Sequence, residues 1–339
     1  MAKSEQYSKV LQQLKKQKYH PVYIFHGEEP YYIDRLTQYI QDNVLADAEK
    51  DFNQSVFYGR DASIERVINT AQRYPMMGQR QVVILREAQN IKNLEKLQHY
   101  IQKPQGTTLL VVSHKGALDA RSRFYKAIKD KAVIFKSEKV RDYQMTDWIQ
   151  QYAREQNISM NAKVANILSE YLGSDLHRVT HELNKLLLVI PKGQNEITTD
   201  DVEKNIGISK EYNPFELNKA LAEKDVVKAN RIIRFFGKNP NEYGMPMIIG
   251  TLYSFFSRLL GYHFLDDQTR KDNYKAGGAI KANPKMMWLY EKAARKYNYQ
   301  KTVRIIGYLR DYDMRSKGLN NVSAAEADLL KEMVYKILH

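Results

Sequence analysis

A strand, a glycine and a helix follow one another at Val22-Tyr-Ile-Phe-His-Gly-Glu-Glu-Pro-Tyr-Tyr-Ile-Asp34. At the start of an α/β domain this is where a phosphate-binding loop would lie. That chemistry needs Gly-x-x-x-x-Gly-Lys-Ser/Thr: glycines for close backbone approach, a lysine for the phosphates and a hydroxyl for magnesium. After Gly27 the second glycine, the lysine and the hydroxyl are absent, and Glu28 and Glu29 repel a triphosphate. The second element of such a site is an apolar strand ending in Asp-Glu, which holds magnesium and orients water. Here strand Val82 to Leu85 runs into Arg86-Glu87, and an arginine opposes a cation. Gly27, Glu28, Glu29 and Pro30 therefore lack the chemistry of a phosphate loop, and nucleotide hydrolysis is not expected.

A different chemistry is offered by Arg73-Tyr-Pro-Met-Met-Gly-Gln-Arg80. Met76 and Met77 stand at a loop tip between Pro75 and Gly78. Thioether side chains are flexible and polarizable, and two readings follow. They fold back into the core, or they form an adaptable apolar plug for a partner's groove. Other sites are weaker. The eight histidines have no metal-ligand spacing. His177 and His181 share a helix face at i, i+4, but without His-Glu-x-x-His or a third ligand they read as a surface or domain-contact pair. No Gly-x-Ser-x-Gly elbow occurs. Asp119, Arg121 and Arg123 belong to a polar loop that is either solvated or a partner contact. The chain contains no cysteine, which removes disulfides, thiolate nucleophiles and cysteine zinc modules.

The elements that must position these residues are legible as pattern. Through about residue 140, strand-like and helix-like segments alternate, as in a parallel sheet covered by helices. Strands are expected at Pro21 to Phe25, Gln54 to Tyr58, Gln81 to Leu85, Thr107 to Val112 and Val133 to Phe135. His26 to Pro30 reads as a turn, followed by a helix over Tyr32 to Gln41. Ile64, Val67, Ile68 and Ala71 mark one face of a helix capped by Asp61 or Ser63 and ended by Pro75. From about Tyr143 strand signals stop. Three helices and a brief fourth, opened by the capping-box-like Thr198-Thr-Asp-Asp201 and ended at Gly207, make a small helical domain. Asn213-Pro214 starts a longer helical remainder, in which Gly277-Gly278 reads as a polar loop before a helix at Pro284.

With 339 residues the chain can bury two or three cores. No apolar run approaches the ~20 residues that span a bilayer, and the polar N-terminus lacks a signal-peptide core. The net charge of +14 favours polyanionic partners, nucleic acid above all.

Several stretches, in order and spacing, resemble the delta-subunit family of bacterial DNA polymerase III. Val22 to Asp34 resembles its degenerate phosphate loop. Tyr74-Pro-Met-Met-Gly-Gln-Arg80 and Val82-Val-Ile-Leu-Arg-Glu-Ala88 resemble its clamp-contacting tip and the strand behind it. Leu118-Asp-Ala-Arg121, Phe124-Tyr-Lys-Ala-Ile128, Gly173-Ser-Asp-Leu176, Glu182-Leu-Asn-Lys-Leu186 and Asp313-Met-Arg-Ser-Lys-Gly318 match further segments. The resemblance implies an α/β plus all-α fold: an AAA+-like parallel-sheet domain over 1–140, a helical lid over 141–212 and a helical collar over 213–339. It implies a clamp-binding set of Met76 and Met77 flanked by Arg73, Tyr74, Pro75 and Gln79. Met77 stands where an aromatic is common in the family. The implied partners are the sliding clamp (beta), the ATPase subunits (gamma/tau) and delta-prime in a heteropentamer, with primed DNA reached through the complex. No cofactor, metal, membrane or catalytic residue is implied, and the location is cytoplasmic. The sister subunits should carry an intact phosphate loop or a cysteine zinc module, and this chain has neither. A free-standing basic nucleic-acid-binding protein with an inactive AAA+-like fold is the alternative.

Overall fold

The computed structural model describes residues 2–76, 78–191, 193–207, 209, 211–320 and 323–339. The chain divides into two compact units, Met1–Val140 and Arg141–His339.

The first unit is built on a five-stranded parallel sheet in the order β2-β3-β4-β1-β5. The strands are β1 (Val22–Gly27), β2 (Gln54–Tyr58), β3 (Gln81–Arg86), β4 (Thr108–Lys115) and β5 (Val133–Ser137). The helices are α1 (Ala2–Lys15), α2 (Pro30–Asn43), α3 (Asp47–Asn53), α4 (Ile64–Ala71), α5 (Leu97–Gln102) and α6 (Arg123–Ile128). Strand side chains alternate between faces. Tyr23, Phe25, Val82, Ile84, Leu109 and Val111 pack against Leu14 of α1 and Ile33, Leu36 and Ile40 of α2. Val22, Ile24, Val83, Leu85, Leu110 and Val112 pack against Ile64 and Val67 of α4, Leu97 and Ile101 of α5 and Ile128 of α6. Both faces are covered, so the central strands are near-continuous apolar runs, as parallel sheets require.

The second unit is helical: α7 (Met145–Glu155), α8 (Ala162–Leu172), α9 (Leu176–Val189), α10 (Thr199–Ile206), α11 (Pro214–Glu223), α12 (Val226–Lys238), α13 (Met245–His263), α14 (Asp267–Lys271), α15 (Asn273–Ile280), α16 (Met287–Lys296), α17 (Tyr299–Ser316) and α18 (Glu326–Leu338). Leu221, Ile232, Phe236, Leu252, Phe256, Leu309 and Met333 centre one core made by the helices after Asn213. Helices on either side of Asn213 belong to this one unit and meet through Lys285–Asp147 at 3.1 Å and Lys163–Glu216 at 3.8 Å. The α/β plus all-α, AAA+-like class expected from sequence is the class observed.

Several local expectations are corrected. His26 and Gly27 continue β1 rather than opening a turn, because β4 and β5 pair with β1 through His26. The helix expected to run to Pro75 ends at Ala71. Its last carbonyls are taken by tertiary donors: the Gln81 amide reaches the Thr70 oxygen at 2.9 Å and the Tyr100 hydroxyl reaches the Ala71 oxygen at 3.2 Å. Ser63, not Asp61, caps its start by accepting the Arg66 N–H. The helices α1 and α3 were not foreshadowed. Strand structure also persists past Tyr143, as the short parallel pair β6 (Ser159–Met160) and β7 (Glu196–Ile197). Gly277 and Gly278 lie inside α15, not in a loop. Glycine is needed at 277 by packing rather than by a turn: a Cβ there would lie 2.8 Å from the Ala282 carbonyl oxygen, and the Ala282 N–H donates to the Gly277 carbonyl at 2.8 Å.

Candidate functional site

The loop after β1 is closed by its own chain. Gly27 adopts φ +135°, and a Cβ there would sit 1.9 Å from the Ser137 carbonyl oxygen. The Gly27 and Gly116 backbones exchange two hydrogen bonds of 2.9 Å, the Glu29 N–H donates to the Ser137 carbonyl at 3.3 Å, and the Ser137 hydroxyl donates to the Glu29 carbonyl at 2.7 Å. The loop is thereby stitched to the ends of β4 and β5.

At the start of α2, where free N–H groups would receive a phosphate, Pro30 has no N–H. The next one, on Tyr31, donates to the Glu29 carboxylate at 3.2 Å. Glu29 is buried there as the cap, whereas Glu28 faces solvent. The lysine and hydroxyl positions of a phosphate loop, counted from Gly27, hold Ile33, which is in the core, and Asp34, which pairs with Lys115 at 3.1 Å. The end of β3 is equally committed. The Arg86 guanidinium donates to Gln38 at 2.9 Å and Gln41 at 2.8 Å, both on α2. A carboxylate at the anion end and a guanidinium at the cation end both oppose Mg-nucleotide.

The second candidate is the segment between α4 and β3. Its root is fixed by α4, whose Ile64, Val67 and Ala71 are buried under the sheet. Beyond Gln72 the chain leaves regular structure, and the residues expected to act together are held outward. Arg73 and Gln79 are exposed, Pro75 is half-buried, Tyr74 is 75% exposed and Met76 is 61% exposed. Of the two readings of the methionines, Met76 therefore takes the outward one. Met77 lies outside the described residues. The tip is a loop following α4 rather than the end of the helix itself. Its backbone is met by Asn53, a residue that no local pattern singled out. The Asn53 side chain accepts the Met76 N–H at 2.6 Å and donates to the Met76 carbonyl at 2.8 Å. Only the fold makes this pair, across twenty-three positions of sequence.

The remaining candidates are simple. His177 and His181 are both exposed on α9, with His181 3.4 Å from Glu182. Among the described residues, no group of three or more His, Asp or Glu could hold a metal ion. Asp119 and Arg121 are exposed and pair locally at 3.5 Å, and Arg123 opens α6 behind a Ser122 cap. No described helix is long and apolar enough to cross a membrane.

These features define an AAA+-like α/β chain whose loop after β1 is closed by its own hydrogen bonds and whose Tyr74 and Met76 are exposed in the loop after α4. Comparison with known proteins shows what the chain is similar to. The family model described as "DNA polymerase III, delta subunit" matches residues 23–138, which span both the closed loop and the tip. The DNA polymerase III subunit delta of Bacillus subtilis is 28% identical over 321 residues, 91% of each chain. The solved structure of the Bacillus subtilis DNA clamp loader delta protein superposes with a TM-score of 0.62 at 25% identity, covering 98% of this chain and 99% of that one. The chain is thus similar to the DNA polymerase III delta-subunit family, by the family model over residues 23–138 and by these two relatives over nearly its whole length.

Proposed function

We propose that this chain opens the sliding clamp as the delta subunit of a clamp loader. The observation that carries the reading is Met76, an apolar side chain 61% exposed at a tip whose backbone is pinned to the fold. A flexible thioether presented this way suits a partner's apolar groove. Met76 and Met77 form the plug, and Arg73, Tyr74, Pro75 and Gln79 border it. Burying two methionines contributes ~3–6 kcal/mol before association costs. That energy opens a ring only by the difference between affinities for its open and closed forms.

The chain hydrolyses no nucleotide in this reading, because Glu29 and Arg86 occupy the two ends of the phosphate site. ATP is handled by gamma/tau neighbours, with delta-prime completing a heteropentamer. Residues 141–212 act as the lid and 213–339 as the collar that joins the ring. The complex works in the cytoplasm on primed DNA, and this chain's net charge of +14 helps hold that polyanion.

The test is calorimetric titration of the chain with the sliding clamp of its own organism, beside a Met76→Ala/Met77→Ala double variant. Wild-type binding that collapses in the folded variant supports the plug. Equal binding by both moves the contact elsewhere on the surface. Absence of wild-type binding, together with tight binding of primed DNA by the isolated chain, returns the free-standing nucleic-acid-binding reading.

A further inference from the structure

We propose that Asn53, at the end of α3, is a positioning residue that holds the tip in its clamp-ready form; this rests on the clamp-binding reading of Met76. An exposed apolar loop has every reason to collapse or fluctuate, and ordering it on binding would cost affinity. Here the ordering is already built in. The buried Asn53 carboxamide, 2% exposed, meets both backbone polar groups of Met76, at 2.6 Å and 2.8 Å, as a neighbouring strand would. Two points of attachment fix the Met76 backbone, and its side chain stands 61% exposed.

The same helix makes the floor of the tip. A Cβ on Gly78 would lie 2.7 Å from the Glu49 carboxylate and 3.0 Å from the Asn53 amide nitrogen, so the chain crosses close over α3 and a side chain there would push these two groups aside. Glu49 is itself held, accepting the Ala46 N–H at 3.1 Å. A clamp groove cannot reach Asn53. Its effect is on the population of the competent tip, and the apparent affinity scales with that population.

The experiment measures clamp affinity by calorimetry for wild type, Asn53→Ala, Asn53→Asp and Met76→Ala, with amide hydrogen exchange on each free chain. Asn53→Ala is expected to bind at least tenfold more weakly, with faster exchange at the Met76 amide and unchanged protection at Val82 to Leu85 in β3. Asn53→Asp keeps the acceptor for the Met76 N–H and should recover part of both the protection and the affinity. Wild-type affinity in Asn53→Ala, while Met76→Ala binds weakly, overturns the positioning role alone. A loss of affinity accompanied by lost protection in β3 also overturns it, since Asn53 would then merely hold the domain together. Full affinity in Met76→Ala overturns the tip reading itself, and the role of Asn53 with it.

Discussion

His26 shows how far a single side chain can be committed to the closed loop. It sits in β1, 1% exposed, in a T-shaped ring contact with Tyr125. The Leu118 N–H donates to Nδ1 at 3.1 Å, so the neutral ring carries its proton on Nε2, which finds no partner among the described residues. Burial first, then the neighbouring His114 and Lys136, lower its pKa from 6.5 to about 4. A depressed histidine favours the fold where both states are neutral. Between pH 6.5 and about 4 the unfolded chain takes up a proton that the folded chain refuses, so stability is full above 6.5 and falls as the pH falls through that window. The loss approaches about 3 kcal/mol at the acid end. Urea denaturation at pH 7.5 and pH 5 should show it, and a folded His26→Gln variant should show a flatter profile. A wild-type profile flat over that range would disprove the assignment.

At the scale of elements, α4 and the segment after it divide labour. The helix is an anchor whose apolar face, Ile64, Val67 and Ala71, is sealed against β3 and β4, while the tip touches the fold through backbone. Stability and binding should therefore separate. Ile64→Ala removes buried volume and should cost about 2–5 kcal/mol in denaturant unfolding. Met76→Ala removes exposed atoms and should shift stability by no more than about 0.5 kcal/mol. A large stability loss in Met76→Ala would mean that the side chain is packed, not presented. The periodicity of α4 was readable because a buried helical face repeats every three to four residues. Its end was not, since Gln81 and Tyr100, which satisfy its last carbonyls, come from β3 and α5. The helix α3 was illegible for a related reason. Asp47-Ala-Glu-Lys-Asp-Phe-Asn53 has little apolar pattern, and its one large apolar residue, Phe52, is 64% exposed.

For the whole molecule the relevant quantity is charge. With +14 overall, contacts to nucleic acid should be made through many weak phosphate interactions and fall steeply with salt, since each releases counterions. Clamp binding through an apolar plug should depend on salt far less. Measured on the isolated chain between 50 and 200 mM salt, DNA affinity is expected to drop by orders of magnitude if several phosphates are engaged. Clamp affinity should stay within a few-fold. Equal salt dependence of the two would place charged residues, rather than Met76, at the centre of the clamp contact.

The sequence by itself determined the class and the candidate sites. Alternating strand and helix patterns announced a covered parallel sheet, the later helical periods announced the second unit, and the missing glycine, lysine and hydroxyl after Gly27 were visible as residue types. These are local properties, carried by side-chain chemistry and by periods of two and 3.6. Tertiary structure alone decided how the sites are held. That the loop after β1 is stitched to Gly116 and Ser137, that Arg86 is tied to Gln38 and Gln41, and that Asn53 pins Met76 all depend on pairs brought together from separate elements. A hydrogen bond between distant residues leaves no period in the chain. It exists only once the two apolar faces of the sheet have been buried and the loops between them have nowhere else to go.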